Sequence, residues 1–413
     1  TGGTGGRGAD VDDAPVVRLV ARTFQDAVDQ RASDIHLEPM AAGVRVRMRV
    51  DGVLRVVAEH PAHLAAPLIS RLKIMGNMDI AEKRKPQDGR INLELRGRQI
   101  DVRASILPSN HGETMVLRLL DRSANLIGLP ELGFQADDHA WFKRLIKRPN
   151  GIVLVTGPTG SGKTTTLYAA LSELNRPDTK IITAEDPVEY HLRGVNQMQV
   201  NTRIGLTFAR ILKAMLRSAP NIILVGEIRD VETAEVAIQA ALTGHLVFST
   251  LHTNDAPSAL TRLVDMGVQP FLVSAAVQGV VAQRLVRRLC PDCAESYAPD
   301  PRELALLGID PALVPDARLR RPRGCRVCEG SGFKGRVGLF ELLEMDGELR
   351  EIVYAKAGVE RLTASAQARG KLRGLLADGA RKVLSGDTSL GEVLRVCRAA
   401  GGDLEATAAV LGA

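Results

Sequence analysis

Residues 43–57, GVRVRMRVDGVLRVV, alternate with a period of two. Val44, Val46, Met48 and Val50 fall on one side and Arg45, Arg47 and Arg49 on the other. That is a strand with one dry and one wet face, and Asp51-Gly52 is a two-residue hairpin signal. Upstream, residues 16–38 open with apolar residues at helical spacing. Ser33-Asp34 is expected to end that helix, with a strand at IHLEP. A helix is predicted around 62–76, then a polar loop at AEKRKPQDGR, then strands at INLEL, QIDVRASIL and TMVLRLL. Together these make a small α/β domain over 15–122, preceded by a Gly-rich, acidic and flexible lead-in at 1–14.

Residues 123–135 read as a linker with a turn at Leu129-Pro130, and a helix is expected at 136–148. From GIVLVTG onward, short apolar runs (KIITAE, IILVGE, HLVFSTL) alternate with helical stretches. That is the pattern of a parallel sheet covered by helices, here over 136–285. The style changes near residue 286, where two CxxC pairs enclose a Pro- and Arg-rich insert over 286–340. Residues 341–413 are expected to be helical.

Composition alters this picture little. Of 413 residues, 45% are hydrophobic and 25% charged, ordinary for a globular protein. Aromatics are only 3%, so the cores must be aliphatic. The formal charge is +6, but Lys and Arg are spread along the chain, so no nucleic-acid partner is expected. No apolar run reaches membrane-spanning length and no signal peptide is apparent. Five cysteines, four of them in CxxC pairs, follow metal logic rather than disulfide logic and point to the cytoplasm.

The chemistry begins at GPTGSGKTTT. This is G-x-x-x-x-G-K-[ST] between an apolar strand and a helix. Gly157, Gly160 and Gly162 let the backbone curl so that N–H groups face a phosphate. Gly157, Pro158, Thr159, Gly160, Ser161, Gly162, Lys163, Thr164 and Thr165 are therefore the expected nucleotide-binding residues. Lys163 should reach the β- and γ-phosphates, and the Thr164 hydroxyl should ligate Mg²⁺. NIILVGEIRD ends a second buried strand at Glu227. Its carboxylate can hold Mg²⁺ through water or deprotonate the attacking water; a strand-end pair with Arg229 is the plainer reading. ITAEDPVEY places Glu185, Asp186 and Glu189 at a third strand end, where carboxylates repel unless a cation such as Mg²⁺ sits among them. TGHLVFSTLHT carries His245 and His252, with Ser249, Thr250 and Thr253 as candidate γ-phosphate sensors.

Cys290-x2-Cys293 and Cys325-x2-Cys328 can supply four thiolates to one tetrahedral Zn²⁺. The interval between the pairs is longer than in the usual finger. A closed Cys₄ site is structural, and RLVRR and RLRRPRGCR are expected to offset its negative charge. Cys397 stands alone as a helix-packing thiol.

SDIHLEP, MRVDGVLR, KRKPQDGR, GPTGSGKTTTLYAAL, AEDPVEY, LVGEIRDVETAEVAIQAALTGHLVFSTLHTNDAPSALTRLVDMGV and AQRLVRRLCPDC follow one another in order. In this series, over about 14–398, the chain resembles the GspE/PilB family of type II secretion and type IV pilus-assembly ATPases. The resemblance implies a RecA-like P-loop ATPase domain preceded by a PAS-like domain, and a homohexameric ring with ATP between the two domains. It implies hydrolysis of ATP to drive pilus or pseudopilus assembly through inner-membrane platform and anchoring proteins. Membrane contact would come only through those partners. It also assigns charge-stabilising roles to Arg103, Arg118 and Arg217, and catalytic roles to Glu185, Glu189 and His252. Lys213 stands where secretion relatives often carry Arg. Assembly members carry the tetracysteine module and retraction members do not. GLTFA and HTNDAPS look pilus-like, whereas AQRLVRRLCPDC is shared with secretion. The alternatives are a DNA-translocating motor, which would need a base-stacking platform not seen here, a retraction ATPase, and a nucleotide-gated scaffold without turnover.

Overall fold

A computed structural model of the chain describes residues 13–121 and 127–399. The expected lead-in therefore lies outside the described residues up to residue 12, as does the end of the chain from residue 400. The chain divides into two compact units, Thr1–Asn125 and Leu126–Ala413.

The first unit is built from α1 (Asp13–Asp29), β1 (Ala32–Met40), β2 (Gly43–Val50), β3 (Val53–Pro61), α2 (Ala65–Met75), β4 (Gln87–Leu95), β5 (Arg98–Ser109) and β6 (Gly112–Asp121). Its six strands form one antiparallel sheet in the order β3-β2-β1-β6-β5-β4. β2 alternates between half-buried and buried residues along its whole length, as its sequence predicts. Asp51 and Gly52 both take positive φ, 48° and 84°, the geometry of the tight hairpin turn. Val20 and Phe24 of α1 and Leu68 and Leu72 of α2 pack with Ile35, Val46, Val102 and Met115 into one core. The first helix ends earlier than expected. Arg31 takes φ 55° and β1 already includes Ser33-Asp34.

The second unit opens with α3 (Ala136–Ile146), β7 (Gly151–Thr156), α4 (Lys163–Leu174), β8 (Ile181–Glu185) and β9 (Asn196–Gln199). It continues through α5 (Phe208–Met215), β10 (Ile222–Val225), α6 (Val231–Leu242), β11 (Leu246–Leu251), α7 (Pro257–Asp265), α8 (Pro270–Ala276) and β12 (Val277–Leu289). Then come β13 (Glu295–Tyr297), α9 (Pro301–Leu306), β14 (Leu319–Arg321), β15 (Phe333–Glu344), α10 (Gly347–Tyr354) and α11 (Val359–Ala368). The described chain closes with β16 (Leu372–Arg373), α12 (Leu375–Leu384) and α13 (Leu390–Ala399).

Eight strands form one sheet in the order β16-β15-β12-β7-β11-β10-β8-β9. From β12 to β9 every neighbour is parallel. β15 and β16 extend the sheet antiparallel. Every residue of β7, β10 and β11 is buried, because helices cover both faces. α3 and α4 lie over one face and α5 to α8 over the other, each with its own apolar cluster. β12 runs through the boundary expected at 285/286, and β15 through the one at 340/341. The small β13–β14 pair carries the insert between the cysteine pairs. Among the described residues, the C-terminal stretch is mainly helical up to residue 399, apart from the end of β15 and the short β16.

Candidate active site and metal centre

β7 ends at Thr156, residues 157–162 curl back, and α4 begins at Lys163. Gly157 has φ 145°, and a Cβ there would stand 2.4 Å from the Gln283 carbonyl oxygen. Gly162, at φ 89°, precedes α4 with no side chain capping the helix. α5, α6 and α10 are capped by Thr207, Asp230 and Asp346. The uncapped amides at the start of α4 are free to meet an anion. The buried Ser161 Oγ has no hydrogen-bond partner, a second polar group directed to the same place. Lys163 Nζ donates to the carbonyls of Gly157 (2.8 Å) and Pro158 (3.1 Å). Burial lowers its pKa to about 8, Arg284 pushes the same way, and Glu227 opposes both. A buried cation, an orphaned hydroxyl and an open helix start together fit a polyphosphate.

Glu227 follows β10 beside this loop. Its Oε1 pairs with Arg229 at 2.6 Å and its Oε2 lies 3.4 Å from His252 Nε2. The Arg229 pair is thus real, but Arg229 is largely exposed and the His252 contact is made as well. Ser249 and Thr250 do not face the site with free hydroxyls. They donate to the Val225 and Gly226 carbonyls and stitch β11 to β10. Thr253 is tied to Thr156 of β7: its N–H donates to the Thr156 hydroxyl at 2.9 Å and the two hydroxyls share a hydrogen bond. His245 lies at the opposite, amino end of β11, bonded to the Ala240 carbonyl.

The acidic stretch splits. Glu185 is buried, and its carboxylate accepts from Tyr168 of α4, from Thr183 and from Gln197. Three donors leave it little capacity to act as a base, and they fix α4 to the end of β8. Asp186 is exposed and Glu189 half-buried beyond it, with Tyr190 hydrogen-bonded to Thr165.

The candidate arginines fall in three places. Arg103 and Arg118 stand opposite each other on β5 and β6, in a register row that continues through Arg90, Asp34 and Arg49. Arg118 and Arg49 both pair with Asp34, at 3.1 and 3.3 Å. This row lies on the sheet face away from α1 and α2. Arg217 lies past the end of α5, bonded to the Lys213 carbonyl, near the amino ends of β8 and β10. That is the edge of the sheet opposite the phosphate loop. Lys213 is paired with Glu232.

Cys290 follows β12, and Cys325 and Cys328 precede β15, so the antiparallel pairing of these two long strands brings the distant cysteine pairs together. The four Sγ atoms lie within 4.8 Å of one another. The separations Cys290–Cys325, Cys293–Cys328 and Cys325–Cys328 are 3.9, 3.8 and 3.6 Å. A tetrahedron of thiolates around zinc has edges of about 3.8 Å. Burial drives Cys290 up to about 12. At Cys328 burial acts the same way, but N–H bonds from Cys325 and Gly332 outweigh it and bring the thiol down to about 6. The donor set fits zinc. The flanking arginines do not all offset its charge: Arg287, Arg288 and Arg321 pair with Glu392, Asp387 and Glu295. Cys397 is buried in the packing of α13.

The family model described as type II/IV secretion system protein matches residues 9–395. The chain belongs to this family. Type II secretion system protein E of Pseudomonas aeruginosa is 53% identical over 94% of the chain and 76% of its own length. Type II secretion system ATPase E of Vibrio cholerae is 50% identical over the same shares. Among solved structures, the ATPase DotB of Legionella pneumophila matches with a TM-score of 0.67 at 22% identity, covering 92% of this chain and 96% of its own. The pilus retraction motor PilT with bound ADP matches with a TM-score of 0.59 at 26% identity, covering 91% and 96%.

In this secretion-family chain, sequence reasoning missed Tyr168, Gln283 and Arg284 as neighbours of the site. Nothing in the local pattern marks Tyr168. Gln283 and Arg284 sit in an apolar run, VVAQRLV, and that interruption was the available signal.

Proposed function

We propose that this chain is the ATPase of a type II secretion machine, coupling ATP hydrolysis to assembly of its filament. The observation that carries this is the open phosphate loop with Glu227 and His252 beside it, in a chain half identical to type II secretion ATPases. Lys163, the Ser161 hydroxyl and the amides at the start of α4 hold the β- and γ-phosphates. Thr164 and Asp186 hold Mg²⁺, which when bound screens phosphate charge. Glu227 orients the attacking water and takes its proton, and His252 fixes the Glu227 carboxylate. Glu185 acts through Tyr168, and Glu189 lines the same strand end.

The chain works as a homohexamer on the cytoplasmic side, held to the inner membrane by platform and anchoring proteins. Among the described residues no helix is long and apolar enough to cross a membrane. Two placements favour a ring: Arg217 lies at the edge away from its own chain's phosphate loop, and Arg103 and Arg118 are in the other unit. In a ring these arginines stabilise charge developing on the γ-phosphate. The first unit is taken as PAS-like, the second as RecA-like, and the tetracysteine module as a structural zinc site.

The test is a Lys163→Ala strain scored side by side for exported enzymes and for surface pili. Loss of exported enzymes alone is expected. Loss of pili alone would move the chain to pilus assembly, and loss of neither would remove it from both machines.

A further inference from the structure

Register places β12 against β7 with Ala282 opposite Thr156, the last residue before the phosphate loop. The next two residues, Gln283 and Arg284, are 2% and 6% exposed, and two adjacent buried polar side chains are costly unless bonded. On a strand they point to opposite faces, and each reaches a different end of the phosphate loop. Gln283 Oε1 accepts from Thr166 of α4 at 2.7 Å, and its Nε2 lies 2.8 Å from where a Cβ on Gly162 would stand. Arg284 Nη1 lies 3.1 Å from the corresponding point on Gly157, and Nη2 donates to the Asn254 carbonyl at 2.7 Å.

Asn254 is two residues past His252, which touches Glu227, and between them the Thr253 N–H donates to Thr156. The half-buried Glu341 carboxylate of β15 accepts from the Ala256 N–H at 2.7 Å and, with Asp255, faces Arg284. One guanidinium thus passes beside Gly157, donating to the Gln283 carbonyl at 3.0 Å, and ties β12 to the segment carrying His252.

We propose that Gln283 and Arg284 are positioning residues for hydrolysis: Gln283 fixes the phosphate loop for nucleotide binding, and Arg284 fixes His252, and through it Glu227, for the chemical step. The proposal rests on the ATPase reading above. It assigns adjacent residues opposite kinetic signatures, because one supports the ground-state cradle and the other a group needed only as bonds break.

The experiment uses the full chain, with steady-state ATP hydrolysis and equilibrium binding of a fluorescent ADP analogue. Gln283→Met should weaken ADP binding and raise KM about fivefold or more, with kcat within about twofold. Arg284→Lys keeps the charge and loses the fork. It should lower kcat about tenfold or more and leave ADP binding within about twofold, since small misplacements of a reacting group are that costly. Arg284→Gln with Glu341→Gln removes both facing charges, guards against misfolding, and should keep the kcat defect. Full kcat in that double variant would overturn the Arg284 role, because only charge balance would then matter. Losses in kcat and KM that simply track a fall in melting temperature, or no change in either, would overturn the proposal. A wild-type chain that binds ADP without turnover would fail the ATPase reading and take the Arg284 role with it, while the binding arm still decides for Gln283.

Discussion

The phosphate loop and the cysteine cluster solve opposite electrostatic problems with different amounts of scaffold. The loop buries a cation, Lys163, whose charge an anionic ligand compensates. The cluster gathers thiols, Cys290 and Cys328 among them, whose ionised forms a metal cation compensates. Fully buried strands β7, β10 and β11 and two large apolar clusters support the loop. The cysteines sit at the ends of β12 and β15, beside the three-residue strands β13 and β14 and a single turn at Arg326–Cys328. A ligand should therefore finish the first site and hold the second together.

The largest effect should come from removing the metal. Structural zinc supplies about 10 kcal/mol to small folds. Chelation, or Cys290→Ser, should open 290–332 to limited proteolysis while ADP analogue binding stays within about twofold. A purified, reduced chain that contains no zinc and resists proteolysis there would remove the contrast.

Lys163→Ala should do the reverse. Turnover should fall roughly a thousandfold, on the scale of losing a principal charge-stabilising donor. The melting temperature should hold or rise slightly, because a buried cation has been deleted. A large fall in melting temperature would mean that Lys163 also holds the loop together through the Gly157 and Pro158 carbonyls.

Glu227→Gln comes next, with hydrolysis down by about a hundredfold and ATP binding retained, the range of a general base. Normal turnover would shift the base to Asp186 or Glu189. Glu185 is a poor substitute, since its carboxylate is already held by three donors.

The same two regions show what a sequence can reveal. The phosphate loop was legible because its requirements are local: glycines at positive φ, a lysine and an apolar strand just upstream. The β2 alternation and the Asp51-Gly52 turn were legible for the same reason. β12 was not, because Gln283 and Arg284 interrupt it, one on each face, and its far end carries Arg287, whose guanidinium stacks 4.1 Å over Phe333 of β15. Charged residues with distant partners broke the apolar pattern, so a continuous strand read as a change of style. The partners of Glu185 were hidden in the same manner. It reads as one of three acids gathered at a strand end, and only the fold brings Tyr168 to its carboxylate.

The smallest effect concerns pH and tests the burial of Lys163 directly. Its ordinary pKa of 10.5 is lowered to about 8 because burial disfavours the charged amine. Between those values the free folded chain binds fewer protons than the unfolded chain, so the stability of the free chain should rise with pH across that window. A bound polyphosphate favours the charged amine and raises its pKa again. Below pH 8 the amine is charged with or without nucleotide, and affinity should be flat. Above it, binding must bring in a proton, so affinity should fall with a limiting slope of about tenfold per unit. Calorimetry of ADP binding at pH 8.8 in two buffers of different ionisation enthalpy should register uptake of about one proton. No uptake would mean that the amine is already charged, and Lys163 would then be less desolvated than its place under the loop implies.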